Sequence, residues 1–336
     1  MEQKLYWPTK DWKVSAAKDV GMNYLKLNEI DSYIRTKRYS RLYSVLVVKN
    51  GHIVLEKYYN GFNSAKKNVI MSIIKSIMSI LIGIAFDQGL IRNLDDRFSS
   101  YFPEYFKSDT DPVKRQITIR NILTMTSGLY WVSGVHNNQP LARRIAKSKD
   151  WVESILDLPQ KDKPGTQFQY KEIEFILLSA LIAKISGTNA YEFAKKHLLE
   201  PLGIESSPWK ISCNNIAHNY VWTGDRAEDN LKLSARDLAK IGYLYLNNGQ
   251  WDKRKIVSSE YVQSSLLPNT SKNFKSYGFM WWLENGNFKA SGWGGQTIAI
   301  LPAYDMVVVI QGNHEVGRGG GFDSLIEEIV IPSINQ

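Results

Sequence analysis

The sequence predicts an α/β fold: one antiparallel sheet built from both chain ends and flanked by helices, with a mostly helical segment inserted between the ends. Three observations carry this. β-rich runs occur at 44–59 and again only at 277–313, while the stretch from about 95 to 255 shows 3.6-residue apolar periodicity almost throughout. Hydrophobic residues make up 43% and charged residues 22%, with 10 Trp and 18 Tyr, so there is apolar material for a large core and no sign of disorder. A length of 336 residues fits one large domain or two interlocked ones, read as 1–94 with 256–336 for the sheet domain and 95–255 for the inserted one.

Taken in order, GMNYLKLNEIDSYIRTKR predicts a first helix at about 21–38. SVLVVKNGHIVLEKYY then reads as a hairpin turning at Asn50-Gly51, because that pair tolerates the positive φ angles of a two-residue turn. A long apolar helix follows at 72–88, stopped by Gly89. ITIRNILTMTSG, LARRIAKSKDWVESIL, EIEFILLSALIAKISG and SARDLAKIGYLYLNNG supply the inserted helices. YGFMWWLE, NFKASG, TIAILP and MVVVIQGN return to strand, and a helix at about 322–331 closes the chain.

Several function classes are set aside by composition. The single cysteine, Cys213, excludes an intramolecular disulfide framework and Cys-based zinc sites, and the five His form no HExxH or close pair, so no metal is expected. Residues 1–67 hold 13 Lys and Arg against 6 Asp and Glu, including RTKRYSR at 35–41, yet no nucleic-acid-binding motif accompanies this charge. A solvated basic surface without a nucleic-acid partner is expected. The most apolar window, 69–86, contains Lys75, which would cost about 3 kcal/mol at a bilayer centre, so no membrane association is expected. The charged N-terminal stretch lacks the apolar run of a signal peptide, and a cytoplasmic location is the expectation.

The helix at 72–88 carries the chemistry. It is apolar almost all round, but Ser72, Lys75, Ser76 and Ser79 fall at i, i+3, i+4 and i+7 and form one narrow polar stripe. An ammonium buried among Ile and Met loses hydration, which lowers its pKa and makes lysine a base near neutral pH. Ser72 lies one turn away at the helix start, where orphan N–H groups can stabilise an oxyanion. Serine plus lysine at this spacing is an activated-nucleophile arrangement. The same S-x-x-K spacing at Ser15/Lys18, Ser64/Lys67 and Ser207/Lys210 lacks the apolar helix. The alternative reading is that Ser72 merely caps the helix and Lys75 reaches to the surface.

With MSIIKSIMSILIGIAFDQGLI, ITIRNILTMTSGL, PGTQFQYKEIEFILLSALIAKISG, LSARDLAKIGYLYLNNGQW and FKASGWGGQTIAILPAYDMVVVIQGN in this order, the chain resembles serine hydrolases of the β-lactamase and penicillin-binding-protein superfamily from Ser44 to Asn313. It is most similar to the class C β-lactamase-like esterase and nylon-oligomer hydrolase branch, where a glycine-rich GxGGQ replaces Lys-Thr-Gly. The resemblance implies Ser72 as nucleophile, Lys75 as proton acceptor and Tyr170 as the residue that passes the proton to the leaving group. It further implies the N–H groups of Ser72 and Gln296 as oxyanion donors, with the active site at the junction of the two domains. A helix beginning near Lys171 would favour the Tyr170 phenolate.

Two departures stand out. Glu172 occupies a position where many members have Asn; it either holds Lys75 protonated or favours its own helix start and points away. Trp293 stands where a lysine grips substrate carboxylates, while Gly294 and Gly295 are expected to let the strand approach a ligand closely. Trp131, Trp222, Tyr130, Trp281 and Trp282 are candidate pocket aromatics, core packing being the expected role of Trp281 or Trp282 because adjacent strand residues face opposite sides. Arg318 in GRGGG is a candidate partner for a substrate carboxylate. The expected function is hydrolysis of small carboxylic esters or amides through an acyl-enzyme on Ser72, without cofactor, with neutral, partly apolar acyl groups preferred to β-lactams or D-alanyl peptides. The alternatives are a catalytically weak binding or sensor protein of the same fold, and a β-lactamase or D-aminopeptidase. Oligomeric state is left open by the sequence.

Overall fold

The computed structural model describes residues 6–107, 111–132, 140–212, 214–218, 230–268, 276–313 and 322–335; Cys213, Trp222 and Arg318 lie outside these. Instead of one helix at 21–38, the chain forms α1 (Tyr24–Asn28) and α2 (Ile30–Thr36), rejoined at Glu29. The hairpin is present as β1 (Leu42–Lys49) and β2 (His52–Tyr58), with φ of 50° at Asn50 and 74° at Gly51, as a tight two-residue turn requires. From the far end of the chain come β3 (Trp282–Glu284), β4 (Asn287–Gly292), β5 (Gln296–Leu301) and β6 (Met306–Gly312). All six make one antiparallel sheet in the order β2-β1-β6-β5-β4-β3. The two ends of the sequence meet at β1–β6, where Val45 pairs with Ile310 and Val47 with Val308.

Both faces of the sheet are covered, which is why its central strands read as apolar runs rather than alternations. Leu46, Val48, Ile298, Ile300, Val307 and Val309 belong to the core shared with the long helix α3 (Ile73–Asp87). Val45, Val47, Leu301, Val308 and Ile310 pack instead with Leu27, Ile30 and Ile34 of α1 and α2 and with Leu325, Ile326 and Ile329 near the C-terminus. Every residue of α3 from Ile73 to Ala85 is buried, and each Ile or Leu so placed contributes about 1.5–3 kcal/mol relative to exposure. Gly89, with φ of 72°, ends the helix by donating its N–H to Phe86 O at 2.9 Å.

The inserted helices are shorter than their periodicity suggests. ITIRNILTMTSG gives only α4 (Ile119–Leu123), and LARRIAKSKDWVESIL breaks into α5 (Pro140–Lys147) and α6 (Trp151–Leu156), the latter capped by Asp150. The two long ones survive as α7 (Ile173–Ser186) and α8 (Ala235–Leu246). Although the expected boundary at 255 assigns α8 to the insertion, it packs on the sheet: a Cβ added at Gly242 would lie 2.5 Å from Val307 and 2.8 Å from Ile298. Among the described residues no single helix is long and apolar enough to cross a membrane.

Candidate active site

The site begins where the chain enters α3. Asn68–Val69 pairs with Lys232–Leu233, and Ile70 N donates to Leu231 O at 3.3 Å, which fixes the approach to the helix. Met71 then takes a φ of 50°, a left-handed conformation that costs a non-glycine residue roughly 1–2 kcal/mol and turns Ser72 into the helix start. Ser72 occupies the cap position, yet its hydroxyl makes no capping bond. It is engaged by Lys75, whose Nζ donates to Ser72 Oγ at 3.0 Å. Lys75 is 1% exposed, so the alternative in which it reaches to the surface does not hold. The rest of the polar stripe is structural: Ser76 Oγ donates to Met280 O at 2.7 Å, and Ser79 lies 3.4 Å from the Tyr261 hydroxyl.

Tyr170 meets this pair. Lys75 Nζ is 4.9 Å from the centroid of the Tyr170 ring. The same ring stacks on Trp282 at 5.8 Å and 18° and meets Tyr277 edge-on at 6.4 Å and 86°. Tyr277 is fully buried, and burial first, then the proximity of Tyr170 and Glu174, holds its phenol well above the ordinary value. It therefore stays neutral and serves as a wall. Trp281 is core, its ring 4.4 Å from that of Tyr245 at a tilt of 32°, while its half-buried neighbour Trp282, the first residue of β3, lies against Tyr170. Gln169 N donates to Met125 O at 3.0 Å and Lys171 N to Met125 Sδ at 3.4 Å, so the two residues flanking Tyr170 are held by one methionine. The candidate pocket residues Trp131 and Glu172 meet as well, the indole N–H donating to Glu172 Oε2 at 2.5 Å.

The GWGGQ segment arrives through the turn between β4 and β5. Gly294 and Gly295 both have φ of 85°; a Cβ at Gly295 would lie 2.5 Å from the Phe322 ring, and one at Gly294 would lie 3.3 Å from Asn313 Cα. These glycines make the turn and admit Phe322. The close approach is one step earlier, at Gly292, where a Cβ would lie 2.7 Å from Ile70 O and 3.1 Å from Ser72 N. Gly292 pairs with Gln296 across β4–β5, which carries the candidate oxyanion residue to the neighbourhood of Ser72. The buried Gln296 side chain is tied down, accepting from Asn68 Nδ2 at 3.2 Å and donating to Gly312 O. Trp293 sits on the turn and is 38% exposed. Sequence reasoning did not single out Tyr277, Gly292 or the orienting part of Trp282. Of these only Gly292 left a trace, as a third glycine in SGWGG.

Among the described residues no group of three or more His, Cys, Asp or Glu side chains is assembled to hold a metal ion. A six-stranded antiparallel sheet backed by helices, with serine and lysine one turn apart at the head of the central helix, defines the β-lactamase/transpeptidase fold. The chain belongs to the Beta-lactamase family, whose model matches residues 31–324. An uncharacterized protein of Alkalihalophilus pseudofirmus is 25% identical over 92% of this chain and 96% of its own length. The 6-aminohexanoate-dimer hydrolase of Paenarthrobacter ureafaciens is 24% identical over 79% of this chain and 70% of its own. Among solved structures, EstCE1, a hydrolase with promiscuous acyltransferase activity, superposes with a TM-score of 0.72 at 14% identity, covering 93% of this chain and 98% of that one. Family and neighbours thus include amide and ester hydrolases.

Proposed function

We propose that this protein is a serine hydrolase that cleaves small carboxylic esters or amides through an acyl-enzyme on Ser72. The observation that carries the reading is the Lys75 Nζ to Ser72 Oγ distance of 3.0 Å, made by a hydroxyl that its helix does not use as a cap. Ser72 Oγ gives its proton to the Lys75 amine or the Tyr170 phenolate as it attacks the carbonyl carbon, and the carbonyl π electrons move to oxygen. The N–H groups of Ser72 and Gln296 receive that oxyanion. Collapse expels the alkoxide or amine, protonated by way of Tyr170, and leaves the acyl group on Ser72. Water then repeats the sequence, releases the acid and restores the serine. Lysine and tyrosine supply the acid–base chemistry, so the scheme calls on no cofactor.

The named amide hydrolase among the relatives and the hydrolase with acyltransferase activity among the structures support the ester-or-amide class. Trp293 supports a preference within it: an apolar surface with one N–H donor stands where a carboxylate-gripping lysine is expected, so acyl groups without a carboxylate are favoured. A charge-assisted bond of that kind is worth about 1.5–3 kcal/mol, or some 10 to 100-fold in specificity. Turnover of p-nitrophenyl butyrate, a p-nitroanilide and a chromogenic cephalosporin tests both points. The ester should give the highest kcat/KM and the cephalosporin the lowest; the reverse order would overturn the preference. Ser72→Ala should lower ester turnover roughly a thousandfold or more while the protein stays folded, and retained turnover would sink the assignment.

A further inference from the structure

The proposed reaction makes no use of a buried ion pair carried by the segment next to Tyr170. Lys171 Nζ and Glu174 Oε1 are 3.4 Å apart, with side chains 1% and 0% exposed. Glu174 Oε1 also accepts from Ser127 Oγ at 2.5 Å, while Oε2 has no hydrogen-bond partner among the described residues. Taking two charges out of water forfeits their hydration, and their attraction returns that cost only when the remaining polar atoms are satisfied. Here one is not. Ile173, Phe175 and Ile176 around Glu174 on α7 are wholly buried apolar side chains, a setting that Met and Leu would fill at no such cost. Stability therefore does not account for the pair.

Its place in the fold does. Gln169 N, Lys171 N and Glu174 Oε1 are bonded to Met125 O, Met125 Sδ and Ser127 Oγ, so one short loop holds the segment that carries Tyr170 at three points. Lys171 is buried in the core, whereas Tyr170 and Glu172 on either side of it are part exposed. Ser127 Oγ also accepts from Leu129 N at 3.3 Å, which leaves its proton for Glu174. Apolar contacts tolerate slippage, but a buried ion pair closed by a hydroxyl is satisfied in one register only. We infer that the Lys171–Glu174 pair, closed by Ser127, is a positioning device that sets Tyr170 against Lys75 and Ser72. The inference rests on Tyr170 carrying a proton in the reaction proposed above.

The second-order rate of Ser72 labelling by a fluorophosphonate reports on the site without requiring the natural substrate. Lys171→Met with Glu174→Leu should keep the melting temperature within a few degrees of wild type and slow labelling about tenfold. Glu174→Leu alone strands a buried ammonium and should melt below the double variant. Placed in a Tyr170→Phe background, the double substitution should change the labelling rate by less than about twofold, because nothing remains to be positioned, whereas general loosening of the site slows both backgrounds alike. Ser127→Ala should slow labelling about threefold in wild type and leave the Tyr170→Phe rate unchanged. Wild-type labelling in a folded double variant, or equal slowing in the two backgrounds, overturns the inference. If the double variant does not fold, Ser127→Ala decides by the same two comparisons. A Tyr170→Phe protein that labels at the wild-type rate also overturns it, and a wild-type protein that does not label overturns the acyl-enzyme reading and this inference together.

Discussion

Lys75→Met removes the amine that touches Ser72 Oγ and keeps a flexible side chain of similar reach in the same apolar slot. Lys75 is 1% exposed, its neighbours Ile73, Ile74, Ile77 and Met78 are buried, and its tip meets Ser72 and the Tyr170 ring, so methionine enters a closed and largely apolar slot. Losing the bond from the amine Nζ to Ser72 Oγ costs about 0.5–1.5 kcal/mol, and no longer burying a polar amine among apolar side chains returns a similar amount. The melting temperature should move by only a few degrees. Rate is another matter, because a positioned general base contributes about 10²–10⁴-fold, equivalent to about 2.7–5.5 kcal/mol of barrier. Fluorophosphonate labelling followed by intact-mass spectrometry, with calorimetry on the same samples, separates the two effects. A variant that labels within about threefold of wild type, while Tyr170→Phe does not label, would refute Lys75 as the base and leave Tyr170 in that role.

Trp282→Ala should lower kcat for p-nitrophenyl butyrate about tenfold with little change in KM, since it removes the stack that orients Tyr170, and Trp282→Phe should recover most of the loss. Equal kcat in the Ala and Phe variants would count against an orienting role. Gly292→Ala places a methyl 3.1 Å from Ser72 N and 2.7 Å from Ile70 O, so it should cut ester turnover at least tenfold by moving the nucleophile, and wild-type turnover would show that this approach does not matter. For Glu56, burial pushes the carboxyl up, but the Arg236 fork at 2.7 and 2.8 Å and the Tyr58 hydroxyl outweigh it and hold the group below its ordinary value of 4.5. With the folded value below the unfolded one, this stabilisation is complete above about pH 4.5 and is lost as pH falls through the folded value. In Arg236→Met the fork is gone and burial is opposed by the Tyr58 hydroxyl without the guanidinium, so the carboxyl is held less far down and the melting temperature should fall less than that of wild type as pH drops from 6 to 4; parallel curves would contradict this.

How much of this was legible depended on how local the cause was. Asn50-Gly51 announced the hairpin because two adjacent positive φ angles are a property of the turn itself. The Ser72–Lys75 pair was legible for the same reason, as a polar stripe on one turn of an apolar helix. YGFMWWLE was expected to be strand throughout, yet only Trp282–Glu284 is. Gly278 N bonds Trp281 O, Met280 takes a φ of 60°, and Met280 is held between Leu123 and Ser76, contacts from segments more than 150 residues away. Tyr170 was reached only through resemblance to a family, since nothing in Phe-Gln-Tyr-Lys-Glu says that its ring will lie beside Lys75. Nothing in the sequence marks Lys171 and Glu174 as a pair, because their burial is decided by the loop at 125–127.

The proposed function turns on acylation of Ser72. Intact-mass spectrometry and peptide mapping after incubation with a fluorophosphonate test it most directly. One adduct per chain on the peptide containing Ser72, absent from folded Ser72→Ala, is the predicted result; a folded wild-type chain with no adduct, or with the adduct on another residue, would contradict it.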